Sequence, residues 1–144
     1  MIAIAATLIA IVENSSRQAR VVRPRTHAQA VHLAQNSRFL SRYGRWADEL
    51  QGAQLGLVAA ERSGDRAAET RFRNWLGEVL ITAERWDEAL ENLERALSLA
   101  RVIPLTRQLA TALNGIGLLR CVQGRFEEGL PYLHEVLTQA ASRR

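Results

Sequence analysis

Residues 74–100 read NWLGEVLITAERWDEALENLERALSLA. Two apolar-periodic segments meet there at Glu84-Arg85-Trp86. The first contains Trp75-Leu76-Gly77, and the second carries Ala89, Leu90, Leu93, Ala96, Leu97 and Ala100. Apolar residues at three- and four-residue steps on both sides of a short polar break predict two helices folded against each other. The same marks stand at one fixed step elsewhere in the chain. Gly44-Arg45-Trp46 precedes Glu84-Arg85-Trp86 by the same interval at which Gly124-Arg125-Phe126 follows it, a 40-residue step. Leu50, Leu90 and Leu130 keep that step, as do Leu57, Leu97 and Leu137, and Ala60, Ala100 and Ala140. A constant period of this size marks a stacked repeat, because one unit cannot bury its apolar face alone and its neighbours complete the core. The expected fold is all-α: an α-solenoid of three antiparallel helix-turn-helix repeats, at about residues 26–63, 65–103 and 105–141, with an additional N-terminal packing helix. Residues 1–25 then form that helix and a connector, and residues 26–144 the repeat domain.

Local signals give the element boundaries. Residues 1–12, MIAIAATLIAIV, are apolar and uncharged, and Glu13-Asn14-Ser15-Ser16 ends the run. A membrane span needs about 20 apolar residues, and a signal peptide has a basic residue ahead of its apolar core. This run meets neither condition and is expected to be a helix covering the open end of the first repeat. Thr26-His27-Ala28-Gln29 fits a capping box, in which hydroxyl and amide side chains satisfy free backbone N–H groups. Gly44 permits the left-handed residue that closes a helix, and Trp46 opens the partner helix. Ser63-Gly64-Asp65 forms the next turn, with Asp65 as N-cap. The second repeat's helices are expected to end near Ala83 and to run from Asp87-Glu88 to near Ala100. Thr106 caps a helix reaching about Val122, Gly124 closes it, and a last helix starts near Glu127 with Pro131 in its first turn, where few backbone bonds are lost.

Composition narrows the chemistry. At 144 residues, 47% hydrophobic and 24% charged, the chain has the size and make-up of one globular domain. Every basic residue is arginine. The absence of lysine excludes a Walker-A phosphate loop and a Schiff-base or pyridoxal mechanism within this chain. A single cysteine, Cys121, excludes an intramolecular disulfide and a cysteine zinc cage, and agrees with a reducing, cytoplasmic setting. No cofactor is implied. His27, His32 and His134 lack metal spacing, since a five-residue step does not bring two side chains to one helix face. No nucleophile elbow is present. Asp87-Glu88 and Glu127-Glu128 recur at one repeat position, at a helix start, where the helix dipole accounts for them without catalysis. The formal charge of +4 is uneven: seven arginines (17, 20, 23, 25, 38, 42 and 45) face Glu13 alone up to position 45. Such a cluster raises nucleic-acid contact as the alternative function, which a steep fall of affinity with salt would reveal.

The repeats resemble tetratricopeptide repeats. Leu76, Gly77, Leu80, Trp86, Ala89, Leu93 and Ala96 follow that family's order of a small residue within the first helix, an aromatic at the turn and small residues on the second helix. Ile116, Gly117, Gly124, Phe126, Leu133 and Leu137 repeat it. The sequence departs at Ser37, at Glu49, at Glu84 where the turn glycine belongs, and at Gly129 where alanine is usual. The 40-residue step also exceeds the family's common period of about 34. Within the family, Gly64-Asp65-Arg66-Ala67 and Leu130-Pro131-Tyr132-Leu133 look like the arrays that end bacterial signal-transduction NTPases and related transcriptional regulators.

The resemblance implies a non-catalytic protein- or peptide-binding scaffold. Its first helices would line a concave groove with Arg71, Asn74, Trp75, Glu78, Ile81 and Thr82 in the second repeat, and Thr111, Asn114, Leu118, Cys121 and Val122 in the third. Asn74 and Asn114 are related by the repeat step, and each offers a donor and an acceptor, so together they could clamp a partner's backbone. Nearby arginines favour an acidic partner. Trp46, Trp86 and Phe126 are expected to plug the gaps between neighbouring hairpins. The last helix leaves Leu133, Val136 and Leu137 without a following repeat, which suggests a homodimer through that face.

Overall fold

In the computed structural model of the protein, residues 46–103 and 106–142 are described, without the side chains of Trp46 and Thr106. The expected N-terminal helix, the first helix of the first repeat, the N-terminal arginines, His27 and His32 lie outside the described residues. Among those described, the chain is all-helical: α1 (Trp46–Ser63), α2 (Arg66–Thr82), α3 (Trp86–Val102), α4 (Thr106–Val122) and α5 (Phe126–Ala141), with no strand. The chain divides into two compact units, Met1–Phe72 and Arg73–Arg144, with the boundary inside α2. Helix limits keep the sequence period. Arg66 and Thr106 open α2 and α4, Thr82 and Val122 close them, and Trp46, Trp86 and Phe126 each begin a helix.

Three short turns set those limits. At Gly64, φ is +69°; the Asp65 N–H donates to the Ala60 carbonyl at 3.0 Å, and Asp65 Oδ1 accepts from the Ala68 N–H at 2.9 Å. One side chain thus caps α2, a contribution of about 1 kcal/mol. At Gly124, φ is +75°, and the Arg125 N–H closes onto the Arg120 carbonyl at 2.8 Å. The turn between α2 and α3 closes in the same way, Arg85 N–H to Leu80 carbonyl at 2.9 Å, but its left-handed residue is Glu84, with φ +58°. A side chain with a Cβ is strained there by roughly 1 kcal/mol or more. Glu84→Gly is therefore expected to stabilise the protein by about 0.5–1 kcal/mol, net of the glycine's added freedom in the unfolded chain. The check is a rise in urea midpoint at unchanged slope; a fall would mean that the Glu84 side chain contributes more than its backbone costs.

The second unit shows how the repeat packs. Leu93 of α3 is fully buried. A Cβ placed on Gly77 of α2 would sit 2.5 Å from Leu93 Cδ2, and one placed on Gly115 of α4 would sit 2.8 Å from the same atom. Leu93 is thus lodged between two helices at points where neither has a side chain. The α4–α5 pair repeats half of this contact, since a Cβ on Gly117 would meet Leu133 Cγ at 2.7 Å. Around Leu93, the core joins Ala96 and Leu97 of α3 to Ala112, Leu113 and Ile116 of α4. Leu109, Tyr132 and Val136 close over it.

One expectation changes. Helix α5 begins at Phe126, so Pro131 stands in its second turn rather than its first. It removes the N–H that would bond the Glu127 carbonyl. Both residues are exposed, so water can serve that carbonyl instead.

Candidate functional site

The expected groove residues lie on α2 and α4, and the structure separates them by burial. On α2, Arg71, Glu78 and Thr82 are exposed, Ile81 is partly buried against the core, and Asn74 and Trp75 are buried. On α4, Thr111 and Cys121 are partly buried, Asn114 is exposed, and Leu118 and Val122 are about half exposed, at 49% and 52%. Asn114, Leu118 and Val122 follow at four-residue steps and so lie along one line of the helix. Thr111 and Thr82 turn their hydroxyls onto their own helices, bonding the Arg107 and Glu78 carbonyls at 3.0 and 3.2 Å.

Comparison of equivalent positions in the two hairpins sorts these residues further. Glu78 and Leu118 are exposed in both, and so are Thr82 and Val122. Packing α4 onto the preceding hairpin leaves Glu78 and Thr82 open, as Leu118 and Val122 are open on α4. Asn74 and Asn114 behave differently. Asn74 is only 2% exposed, and its amide Nδ2 donates to the Gln108 carbonyl at 3.0 Å and to Gln108 Oε1 at 3.1 Å. It fastens α2 to α4, while Asn114 faces outward. The two asparagines are thus not an open matched pair, and Trp75 is a core residue with 3% exposure.

An asymmetric result follows. Asn74→Ala is expected to cost about 1–3 kcal/mol, because two acceptors of the partly buried Gln108 lose their donor. Asn114→Ala is expected to leave stability within about 0.5 kcal/mol of the parent, as exposed substitutions do. Urea unfolding of the two variants side by side checks this; equal losses would show that both asparagines act structurally.

Gln108 is the residue sequence reading missed. Its signal is faint: it lies 34 residues from Asn74, outside the repeat step, and nothing marks the bond before the helices are placed.

The carboxylates that recur at the helix starts are paired locally. Glu88 and Glu128, which recur at one repeat position, each pair with the arginine three residues before, Arg85 and Arg125, at 2.7 Å. The carboxylates thus close their own turns, and as exposed pairs they add little stability. Cys121 Sγ lies 3.3 Å from where a Cβ on Gly129 would be, so the thiol packs against α5. Among the described residues, no three His, Cys, Asp or Glu side chains are grouped to hold a metal ion. No helix there is long and apolar enough to cross a membrane.

The chain matches no protein-family model, no curated protein and no solved structure.

What the open strip can bind is read from its own side chains. On α2 it presents a carboxylate and a hydroxyl, Glu78 and Thr82. At the matching places of α4 it presents Leu118 and Val122. Such a surface suits a ligand with an apolar part and a polar part, held by complementarity.

Proposed function

We propose that this chain is a non-catalytic scaffold of the tetratricopeptide kind, a short α-solenoid whose first helices present a groove to a protein or peptide partner. The single observation that carries the reading is that two pairs of positions, 78 with 118 and 82 with 122, stay open in both hairpins while 77 with 117 and 79 with 119 are buried. The common helix limits and the matched Gly77–Leu93 and Gly117–Leu133 contacts support the repeat on which that register depends. On this reading the partner's apolar side chains rest on Leu118 and Val122, and binding involves no covalent step. The sensor or partner-binding part of a bacterial cytoplasmic regulator, as the sequence resemblance suggests, is the setting that would use such a surface.

A random peptide library panned on the protein tests the groove. Peptides so obtained are expected to bind Leu118→Glu and Val122→Glu at least about tenfold more weakly by calorimetry. Covering a half-exposed leucine or valine is worth roughly 1 kcal/mol or somewhat more, and about 1.4 kcal/mol is a factor of ten. Both variants should keep the parental helix content. Selected peptides indifferent to both substitutions would place the binding surface elsewhere.

A further inference from the structure

The last hairpin exposes positions that the preceding hairpin covers with a helix of this same chain. Leu97 of α3 is 8% exposed, whereas its counterpart Leu137 of α5 is 67% exposed. Trp86 and Leu90 are partly buried, while Phe126 and Leu130 are 60% and 55% exposed. The cover on α3 is α4, which brings Leu109, Ala112, Leu113 and Ile116 against Leu93, Ala96 and Leu97. The polar part of that contact is duplicated as well. Asn74 bonds Gln108 of α4, and the equivalent Asn114 is exposed. Apolar and polar halves of one helix-docking interface thus recur together, in register, on a face that no described residue covers.

We propose that the face made by Asn114, Phe126, Leu130, Leu133 and Leu137 docks an amphipathic helix from a partner protein, one carrying the α4 pattern Gln-Leu-x-x-Ala-Leu-x-x-Ile. The glutamine bonds Asn114 as Gln108 bonds Asn74, and the leucine, alanine and isoleucine positions cover α5 as α4 covers α3. The occupant's chemistry is set by this internal precedent. A second copy fits less well. Its own α4 is already packed between α3 and α5. Its α2 would place Glu69 and Arg73 where the pattern has Leu109 and Leu113, and Ala68 where it has Gln108. In a symmetric pairing of two α5 helices, the glutamine of that helix, Gln139, already donates to Glu135 and its Oε1 is buried. Asn114 shares a line of α4 with Leu118 and Val122, but Phe126, Leu130, Leu133 and Leu137 belong to α5, so Leu137→Glu reads this face apart from the strip that Leu118→Glu and Val122→Glu read.

The probe is a fluorescein-labelled synthetic peptide copying residues 104–123, with serine in place of the cysteine, titrated with the protein and followed by anisotropy. Saturable binding is expected, weakened at least about tenfold by Leu137→Glu in the protein. A peptide with Gln108→Ala should bind the parent several-fold more weakly than the copy does, yet bind Asn114→Ala no more weakly than the copy does, since a hydrogen bond can be lost only once. Circular dichroism melts of Leu137→Glu and Asn114→Ala should match the parent, as both sites are exposed. Absence of saturable binding, or binding indifferent to Leu137→Glu, would overturn the proposal. So would sedimentation showing a homodimer that Leu137→Glu dissociates, which would put a second copy on this face.

Discussion

Replacing Leu93 by alanine is expected to lower the unfolding free energy by about 3–5 kcal/mol, the range for a large apolar side chain removed from a core that cannot collapse. The site cannot collapse because three helices meet there: the side chain is carried by α3 and enclosed by Gly77 of α2 and Gly115 of α4. Domains of this kind are stable by only about 5–15 kcal/mol, so the variant loses a large share of what holds it folded. The companion variant separates packing from mere hydrophobicity. Gly77→Ala alone sets a methyl 2.5 Å from Leu93 Cδ2, and overpacking of this sort costs about 1–3 kcal/mol against a helix-propensity gain of about 1. With Leu93→Ala in the same molecule, that methyl enters vacated space. The double variant should therefore be more stable than the sum of the two single losses by about 1–2 kcal/mol. Urea unfolding of the four proteins completes the cycle. Additivity to within about 0.3 kcal/mol would mean that Leu93 is not lodged against Gly77.

Gly129→Ala is expected to cost about 2 kcal/mol, although alanine is the better helix former by about 1. The added Cβ would lie 2.8 Å from the Gly117 carbonyl oxygen, 3.2 Å from Arg120 Cβ and 3.3 Å from Cys121 Sγ. A side chain can rotate away from such an approach, but a helix carbonyl is held by its own hydrogen bond, so α4 and α5 must move apart. The opposite substitution one repeat earlier sets the scale. Ala89, the counterpart of Gly129, is fully buried, so α2 and α3 hold one methyl at the place where α4 and α5 hold none. Ala89→Gly should cost about 1–2 kcal/mol, through helix propensity and the loss of one buried methyl. The check is the urea midpoint of each variant, with Cys121 reactivity towards a thiol reagent as a second readout. A Gly129→Ala protein at least as stable as the parent would show that the close approach of α4 and α5 is not needed.

These two glycines illustrate how far the sequence could be read. Gly77 belongs to a recurring pattern, and its role as a place where helices approach follows from the pattern. Gly129 looks like a departure at a position where alanine is usual, and only the placed carbonyl of Gly117 shows why the side chain is absent. The same division runs through the candidate site. The family resemblance placed Leu118 and Val122 in a groove lining, and the structure shows each about half exposed. Asn74 and Asn114 looked alike because a fixed step treats every repeat as equivalent. In the structure one is sealed by Gln108 and the other is exposed, because α4 packs against Asn74 and no described residue covers Asn114.

The sequence by itself determined, over the described residues, the class of structure and its register: helices only, turns at Gly64, Glu84 and Gly124, aromatics opening the second helices, and one constant step between equivalent positions. These are local properties, set by backbone sterics at each turn and by apolar spacing along each helix, so they can be read one segment at a time. Tertiary structure alone decided which of two equivalent residues is buried, which glycine faces a carbonyl, and which polar side chain meets Gln108. Those outcomes depend on the distance between helices that are far apart in the chain, and that distance is set by every side chain in the interface at once.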